Sequence, residues 1–187
     1  MTIDQILDKI YPLSTPSKNF IKASISEVEL PKGSHIISTK KIEKHLYFIK
    51  KGIVRAFANA DDNQITFWFG KEGDAIISMK SYVSEQKGYE DIELLENCTL
   101  YKLDTNVLKQ LFEKDIHIAN WGRKFAEQEL VKTEDRLISR QFRTATERYN
   151  TLIWNNPELL QRVPLRHIAS FLEITQVSLS RIRADAR

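Results

Sequence analysis

The chain has 187 residues, of which 42% are hydrophobic and 28% charged, and its formal net charge is +3. This length and apolar content suit one large domain or two small ones with real hydrophobic cores. The single cysteine, Cys98, excludes an internal disulfide and any multi-cysteine metal or iron–sulfur site within one chain, and we expect it to be a small buried residue. The N-terminus lacks the features of a signal peptide, and no apolar run is long enough to span a membrane, so we expect a cytoplasmic protein without membrane contact.

The first 103 residues of the chain change from a helical to a β pattern. Apolar residues between Ile3 and Ile10 recur at helical spacing and predict one or two short helices within residues 1–25. Turn residues such as Pro31-Lys32-Gly33 and Asp61-Asp62-Asn63 then separate eight short apolar runs, which predicts a double-sheet jelly roll. The predicted strands are residues 26–30, 35–39, 45–50, 53–59, 64–69, 75–78, 91–95 and 99–103.

A long helix is predicted from about Asp115 to Arg140, after a short helix capped by Asp104 or Thr105. One apolar stripe of the long helix is expected to cover the jelly roll and consists of Ile118, Trp121 and Phe125. A second stripe advances in steps of three and four residues, which is typical of a coiled-coil seam between two copies of the chain. The alternative is that both stripes pack against the same domain. The second stripe consists of Ala119, Gly122, Ala126, Leu130, Thr133 and Leu137.

Residues 165–183, LRHIASFLEITQVSLSRIR, predict a helix-turn-helix. Ile168 and Leu172 would seal the first helix, whereas Leu179 and Ile182 would seal the second. Thr175 is expected to cap the second helix, which would then begin at Gln176. The outward face of that helix could reach base edges and phosphates of DNA, although an ordinary helical hairpin is the alternative. This face carries Gln176, Val177, Ser178 and Arg181.

Glu173 occupies the turn position of this motif, where the backbone tends to be left-handed and glycine is usual. A residue with a side chain costs roughly 1 kcal/mol in that conformation, which flanking apolar contacts can offset. The charge of the same region is also uneven. Seven arginines against four carboxylates between Gln141 and Arg187 account for the whole net charge, and this asymmetry favours a phosphate-bearing partner.

The order of jelly roll, long seam helix and helix-turn-helix resembles the Crp/Fnr family of bacterial transcription regulators, over nearly the whole chain. The segments that carry the resemblance are LPKGSHI (30–36), HLYFIKKGIVRAF (45–57), ITFWFGKEGD (65–74), LLENCTLYKLD (94–104) and the stretch from residue 147 to 183.

The resemblance implies an α+β fold in three parts. These are a β-roll effector-type domain with N-terminal helices (1–114), a dimerisation helix (115–142) and a helix-turn-helix DNA-binding domain (143–187). It further implies a homodimer that binds an inverted-repeat operator in double-stranded DNA, with RNA polymerase as a further candidate partner.

The positions that contact DNA in this family fall on Gln176, Val177, Ser178 and Arg181. Arg181 matches the usual arginine of the family and could bind guanine through two hydrogen bonds. Val177 departs from the family, because many members carry a glutamate there that can accept from cytosine. Thr175, Arg166 and Ser178 are candidates for phosphate contacts, which position a protein without specifying sequence.

The effector site departs further from the family pattern. Members that bind cyclic AMP carry a Gly-Glu pair and then an Arg-Ser pair that holds the cyclic phosphate. Here the first pair falls on Ile77-Ser78 and the second near Tyr89-Glu90, so a phosphate would meet a carboxylate where it needs an arginine. We therefore expect no response to cyclic AMP, and either a different small-molecule effector or none. The four histidines show no ligand spacing, so no heme, metal or other cofactor is expected.

The sequence offers two alternatives to a DNA-binding function. A metal-dependent enzyme of the cupin type needs two histidines one residue apart on the inner sheet face, whereas His35 and His45 are ten residues apart, so we do not expect an enzyme. The main alternative is a signalling module that binds a small ligand and acts through protein partners rather than DNA. The excess of positive charge between Gln141 and Arg187, where every basic residue is an arginine, argues against it.

Overall fold

The computed structural model describes residues 1–60 and 63–185. The predicted Asp61-Asp62-Asn63 turn lies mostly outside the described residues, and Arg187 lies wholly outside them. The chain begins with two short helices, α1 (Ile3–Ile10) and α2 (Thr15–Ala23). Thr2 is the N-cap of α1 and Ser14 is the N-cap of α2. The hydroxyl of each accepts a backbone N–H of the first turn, which explains where the two helices begin.

Within the described residues, eight strands form two four-stranded sheets in which all paired strands are antiparallel. This confirms the predicted double-sheet β-roll. The strand orders are β1-β8-β3-β6 and β2-β7-β4-β5. The strands are β1 (Ile25–Leu30), β2 (His35–Ile37), β3 (His45–Lys51), β4 (Val54–Ala60), β5 (Asn63–Gly70), β6 (Ala75–Ile76), β7 (Asp91–Leu94) and β8 (Cys98–Asp104).

Strand β3 shows why the core sits where it does. It is apolar from Leu46 to Ile49 without alternation, because both of its faces are buried. Leu46 and Phe48 pack against the helices, whereas Tyr47 and Ile49 face the space between the two sheets. Cys98 belongs to the apolar core between the two sheets and is buried as predicted. Burial raises the pKa of its thiol to about 11.

The long helix is α5 (Ile116–Phe142), preceded by α3 (Met79–Ser84) and α4 (Thr105–Lys114). Of the two predicted caps of α4, Asp104 is the one that caps it, and Asp115 caps α5. Ile118 and Trp121 are fully buried against the β-roll, and the Trp121 indole Nε1 donates to the Leu7 carbonyl at 3.0 Å. Phe125 stacks on Trp121. The stripe expected to cover the β-roll therefore does so.

Four C-terminal helices complete the described chain: α6 (Ala145–Asn155), α7 (Leu159–Arg162), α8 (Leu165–Phe171) and α9 (Gln176–Asp185). We call residues 145–185 the C-terminal module. Its core contains Ile168, Leu172 and Leu179, as the sequence predicted, together with Ile53 and Leu95 of the β-roll. The module thus shares one apolar cluster with the β-roll. In the described part of the chain, no helix is both long and apolar enough to cross a membrane.

Candidate nucleic-acid interface and effector cradle

The turn between α8 and α9 has the geometry that the sequence indicated. Glu173 has φ 56°, and its amide donates to the Ser170 carbonyl at 3.1 Å. The Ile174 amide donates to Ala169, which closes the turn. Thr175 Oγ1 accepts the Ser178 amide at 3.1 Å, so Thr175 caps α9 and the helix begins at Gln176 as predicted.

The outward face of α9 presents side chains that are free to meet a partner. Gln176, Arg181 and Val177 are exposed, and the Val177 side chain retains 62% of its accessible surface. Ser178 is half-buried, and its hydroxyl lies 3.0 Å from that of Thr175. Arg166 is exposed on α8. The structure therefore brings the predicted DNA-contacting residues onto one pair of connected helices.

The arginine excess of the C-terminal region is only partly available to such a partner. Arg162 binds Glu72 at 2.7 Å and also pairs with Glu96, both in the β-roll. Arg148 donates to the backbone carbonyls of Arg143 and Leu172. Several arginines counted in the sequence therefore hold the fold together, and the exposed cations on α8 and α9 are Arg166 and Arg181.

A buried polar network that the sequence did not indicate joins α8 to the β-roll. Arg55 on β4 is only 2% exposed, yet its guanidinium binds Glu93 on the neighbouring strand β7 at 2.7 Å. Its other contacts include Gln64 Oε1 at 2.6 Å and His167 Nδ1 of α8 at 2.6 Å. The Ser170 hydroxyl of α8 makes two hydrogen bonds with the backbone of β5: it donates to the Gln64 carbonyl and accepts from the Thr66 amide. These contacts fix α8 on the edge of the sheet.

Burial, with smaller contributions from the positive charges of Arg55 and Arg166, lowers the pKa of His167 to about 4. An arginine has no hydrogen-bond acceptor, so Nδ1 of His167 must accept from Arg55. The ring is therefore neutral, with its proton on Nε2. This neutral histidine is a structural acceptor in the contact between α8 and the β-roll.

The predicted seam residues of α5 fall into two groups. Leu130 and Leu137 are 61% and 55% exposed, and Ala126 and Thr133 are exposed beside them. Ala119 is half-buried. Gly122 instead lies against the Phe112 ring of α4, where a β-carbon would come within 2.4 Å of that ring. The small residue at this position thus accommodates a contact within the chain, and its place in a seam between two long helices stays a prediction.

The effector cradle is the part of the β-roll around α3, and it contains the four residues that the sequence placed there. Ser78 is buried, and its hydroxyl has no hydrogen-bond partner in the described part of the chain. Glu90 is 6% exposed and accepts the Tyr89 amide at 3.0 Å. A β-carbon on the intervening Gly88 would lie 2.6 Å from the Ser78 hydroxyl and 2.7 Å from Glu90 Oε2. The Glu90 carboxylate therefore lies close beside Ser78.

Aromatic and aliphatic side chains lie beside these polar groups. Tyr89 is exposed, and its ring lies 5.9 Å from that of Phe67 on β5, measured between centroids. Ile77 is half-buried and packs against the core beneath the helices. Asp91, next to Glu90, is engaged by Thr39 and Asn59. The cradle thus combines the Glu90 carboxylate, which has no ion-pair partner among the described residues, with the side chains of Tyr89, Phe67 and Ile77.

Comparison with known proteins gives this fold a context. Residues 27–115 match the family of the cyclic nucleotide-binding domain. None of the curated proteins has a sequence that matches the chain.

Solved structures extend the likeness beyond the β-roll. FixK2 from Bradyrhizobium japonicum is 20% identical with a TM-score of 0.72, over 86% of this chain and 83% of that protein. A putative transcriptional regulator of the Crp/Fnr family from Eubacterium rectale is 14% identical with a TM-score of 0.72, over 93% and 85% of the two chains. The catabolite activator protein of Thermus thermophilus is 16% identical with a TM-score of 0.61, over 96% and 85%.

At these identities the likeness establishes the fold. The chain has the fold of Crp/Fnr-type regulators, with residues 27–115 matching the cyclic nucleotide-binding domain.

Proposed function

We propose that the protein is a homodimeric transcription regulator that binds specific DNA sequences through α9. The observation that carries this proposal is the exposed face of α9, which presents Gln176, Val177 and Arg181 to solvent. A helix of this kind enters the major groove with its N-terminal residues toward the bases. The shared fold with regulators of the Crp/Fnr type supports the same function.

The residues of the interface have different roles in this proposal. Arg181 reads a guanine through its O6 and N7 atoms, and Val177 meets a thymine methyl or excludes water. Arg166 and the Thr175 cap face phosphates, which position α9 in the groove. Because Val177 replaces a side chain that could accept from cytosine, the preferred site differs from that of family members with glutamate there.

Selection of bound sites from random duplex DNA, followed by binding measurements at several salt concentrations, tests this proposal. Arg181→Ala should cost roughly 1–3 kcal/mol on the selected site and relax specificity at one position of each half-site. Arg166→Ala should weaken binding to all sequences alike and reduce the salt slope by about one per arginine lost. Arg123→Ala, an exposed arginine of α5 paired with Glu127, is the control and should bind like the parent.

Two results would count against DNA binding through α9. If the protein acts only through protein partners, which is the alternative function, the selection from random duplex DNA will enrich no sequence. If Arg181→Ala binds the selected site as tightly as the parent, α9 is not the recognition helix.

Dimerisation is the second element of the proposal. Leu130 and Leu137 leave an apolar stripe on α5 that no described residue of the chain covers, and a second copy would cover it around a two-fold axis. The two α9 helices would then enter successive major grooves about 34 Å apart, so the selected operator should be an inverted repeat.

We further propose that cyclic AMP is not the effector. The buried Glu90 carboxylate lies beside Ser78, where the resemblance places the phosphate-holding groups. Charge repulsion and the loss of an arginine–phosphate contact both oppose a cyclic phosphate there. The β-roll then serves either as a scaffold or as a domain that responds to another ligand.

A further inference from the structure

A cavity of about 600 Å³ lies where the β-roll, the long helix and the C-terminal module meet. One wall is the aromatic run Phe67-Trp68-Phe69 of β5, and another is the C-terminal half of α5. The remaining walls come from α6 and from Phe171 and Leu172 at the end of α8. In the described chain, the cradle residues Ser78 and Glu90 do not line this cavity, so it is a separate space.

The walls of the cavity carry more cations than carboxylates. The carboxylates are Asp74, Glu129 and Asp135. Three of the cations already have acidic partners: Lys132 binds Glu129 at 2.6 Å, Lys71 binds Glu158 at 2.6 Å and Arg140 binds Glu173 at 3.2 Å. The six cations are Lys71, Lys132, Arg136, Arg140, Arg143 and Arg148. This excess favours an anionic occupant.

Two of these arginines have buried N–H groups without an acceptor among the described residues. Arg140 uses Nε to bind Glu173 at 3.2 Å, whereas its Nη2 has no hydrogen-bond partner. Arg148 gives both Nη atoms to backbone carbonyls, and its Nε has no partner. A buried charged donor left unsatisfied is costly, and an ion or ligand that supplies the acceptor is one of the standard explanations.

Arg136, on the same face of α5, is also under-compensated. Its one hydrogen bond among the described residues is to Thr133 Oγ1 at 3.0 Å. Burial, and to a smaller extent the neighbouring Arg140 guanidinium, lower the pKa of Arg136 although Glu129 acts in the opposite direction. An anion in the cavity would offset both effects.

The opposite wall suits an apolar, planar group. The rings of Phe69 and Phe171 lie 5.3 Å apart between centroids and are tilted by 48°. Phe67 and Trp68 continue this wall along β5, and all three aromatic residues of the run are only half-buried. Aromatic side chains beside a few convergent polar donors are typical of small-molecule sites.

We propose that this cavity binds a small organic anion that combines one acidic group with a planar apolar body. The acidic group binds Arg140 and Arg148, and the apolar body packs on Phe69 and Phe171. Because the walls come from the β-roll and from the C-terminal module, an occupant contacts both. This site is independent of the proposed DNA interface, and its test does not involve DNA.

Fluorescence titration with anilinonaphthalene sulfonate, an aromatic anion that brightens in apolar sites, tests the proposal on the full-length protein. The parent should bind it at one saturable site, and Arg140→Gln should weaken binding roughly tenfold or more, as expected for a charge-assisted contact. Ser139→Trp fills the cavity from α5 without removing a cation and should also abolish binding. Arg123→Gln, on the same helix but outside the cavity, should bind like the parent.

Phenylnaphthylamine, a neutral analogue without the sulfonate, separates the anion site from general apolar binding and should bind at least tenfold more weakly. Circular dichroism of each variant checks that the fold is intact. The proposal is overturned if Arg140→Gln and Ser139→Trp bind the sulfonate as tightly as the parent, or if the neutral analogue binds equally well.

Discussion

His167 shows how one neutral side chain can hold two parts of the molecule together. Its Nδ1 accepts from Arg55, whose guanidinium is itself fixed by Glu93. Protonation would put a second positive charge against Arg55 and remove the acceptor. The contact between α8 and the β-roll therefore requires the neutral form of the histidine.

This arrangement predicts a loss of stability on mild acidification. The folded pKa of His167, about 4, lies below its ordinary value of 6.5, so the unfolded state binds the extra proton first as the pH falls. The stabilisation is complete above about pH 6.5 and is lost as the pH falls toward 4. Between about pH 7 and pH 5 the free energy of unfolding should fall by roughly 1–2 kcal/mol on this account.

Urea unfolding of the parent and of His167→Asn at the two pH values measures this effect. The asparagine carbonyl can still accept from Arg55 but does not titrate, so the variant should lack this part of the pH dependence. An equal loss of stability in both proteins would show that other groups cause it.

At the residue scale, the sequence predicted those features that depend on neighbouring residues in the chain. The left-handed backbone at Glu173 and the cap at Thr175 follow from their immediate neighbours, and both were predicted. The Arg55–His167 contact joins residues 112 positions apart. A buried arginine on a strand carries no sequence signal for its partner, so only the folded chain reveals it.

At the scale of elements, α5 is the helix with the most consequences. One face of α5 is buried on the β-roll, a second lines the cavity, and a third, with Leu130 and Leu137, is exposed. An apolar stripe of this kind is expected to be covered by another copy of the chain.

Leu130→Glu should therefore convert the proposed dimer to a monomer and weaken binding to the selected DNA site. Burying a glutamate in each half of the seam is strongly unfavourable, and the two like charges would repel. Sedimentation velocity at micromolar concentration measures the oligomeric state. Val83→Glu is a matched control, since Val83 is 67% exposed on α3 of the β-roll, and it should remain dimeric. A parent that sediments as a monomer would refute the seam.

The elements themselves were largely predictable. All eight strands and the long helix follow from apolar periodicity and turn residues, whereas α3 and α7 were missed because helices of six and four residues are too short to show a period. Gly122 illustrates the limit of pattern reasoning. Its place in a stripe of small residues indicated a seam with a second copy, whereas nothing in the stripe indicated the contact with Phe112 of the same chain.

At the scale of the whole molecule, the C-terminal module and the β-roll are joined by charges as well as by a shared core. Arg162 lies between Glu72 and Glu96, and Lys71 pairs with Glu158. Burial would raise the pKa of Glu72, but hydrogen bonds from Arg162 and the Gly52 amide outweigh it and lower that pKa to about 2. Any ligand that stabilises the β-roll should therefore also stabilise the C-terminal module.

That coupling makes thermal unfolding a sensitive test for an effector in the cradle. A specific ligand at about 100 times its dissociation constant stabilises the native state by roughly 2.7 kcal/mol, which corresponds to about 5–10 °C for a chain of this size. We expect millimolar cyclic AMP to produce no saturable shift. Without the arginine contact, worth on the order of 1.5–3 kcal/mol, affinity should fall by one to two orders of magnitude, and the Glu90 carboxylate adds repulsion.

Adenosine, which has the same base without the phosphate, is the control for weak stacking on Phe67 and Tyr89 and should also leave the midpoint unchanged. The decisive contrary result is a saturable rise with cyclic AMP that adenosine does not produce. If Ser78→Ala or Glu90→Gln then abolished that rise, the cradle would be a working nucleotide site and the role assigned to Glu90 would be wrong. A rise that survives both substitutions would place the nucleotide elsewhere, with the arginine-lined cavity beside α5 as the next site to test.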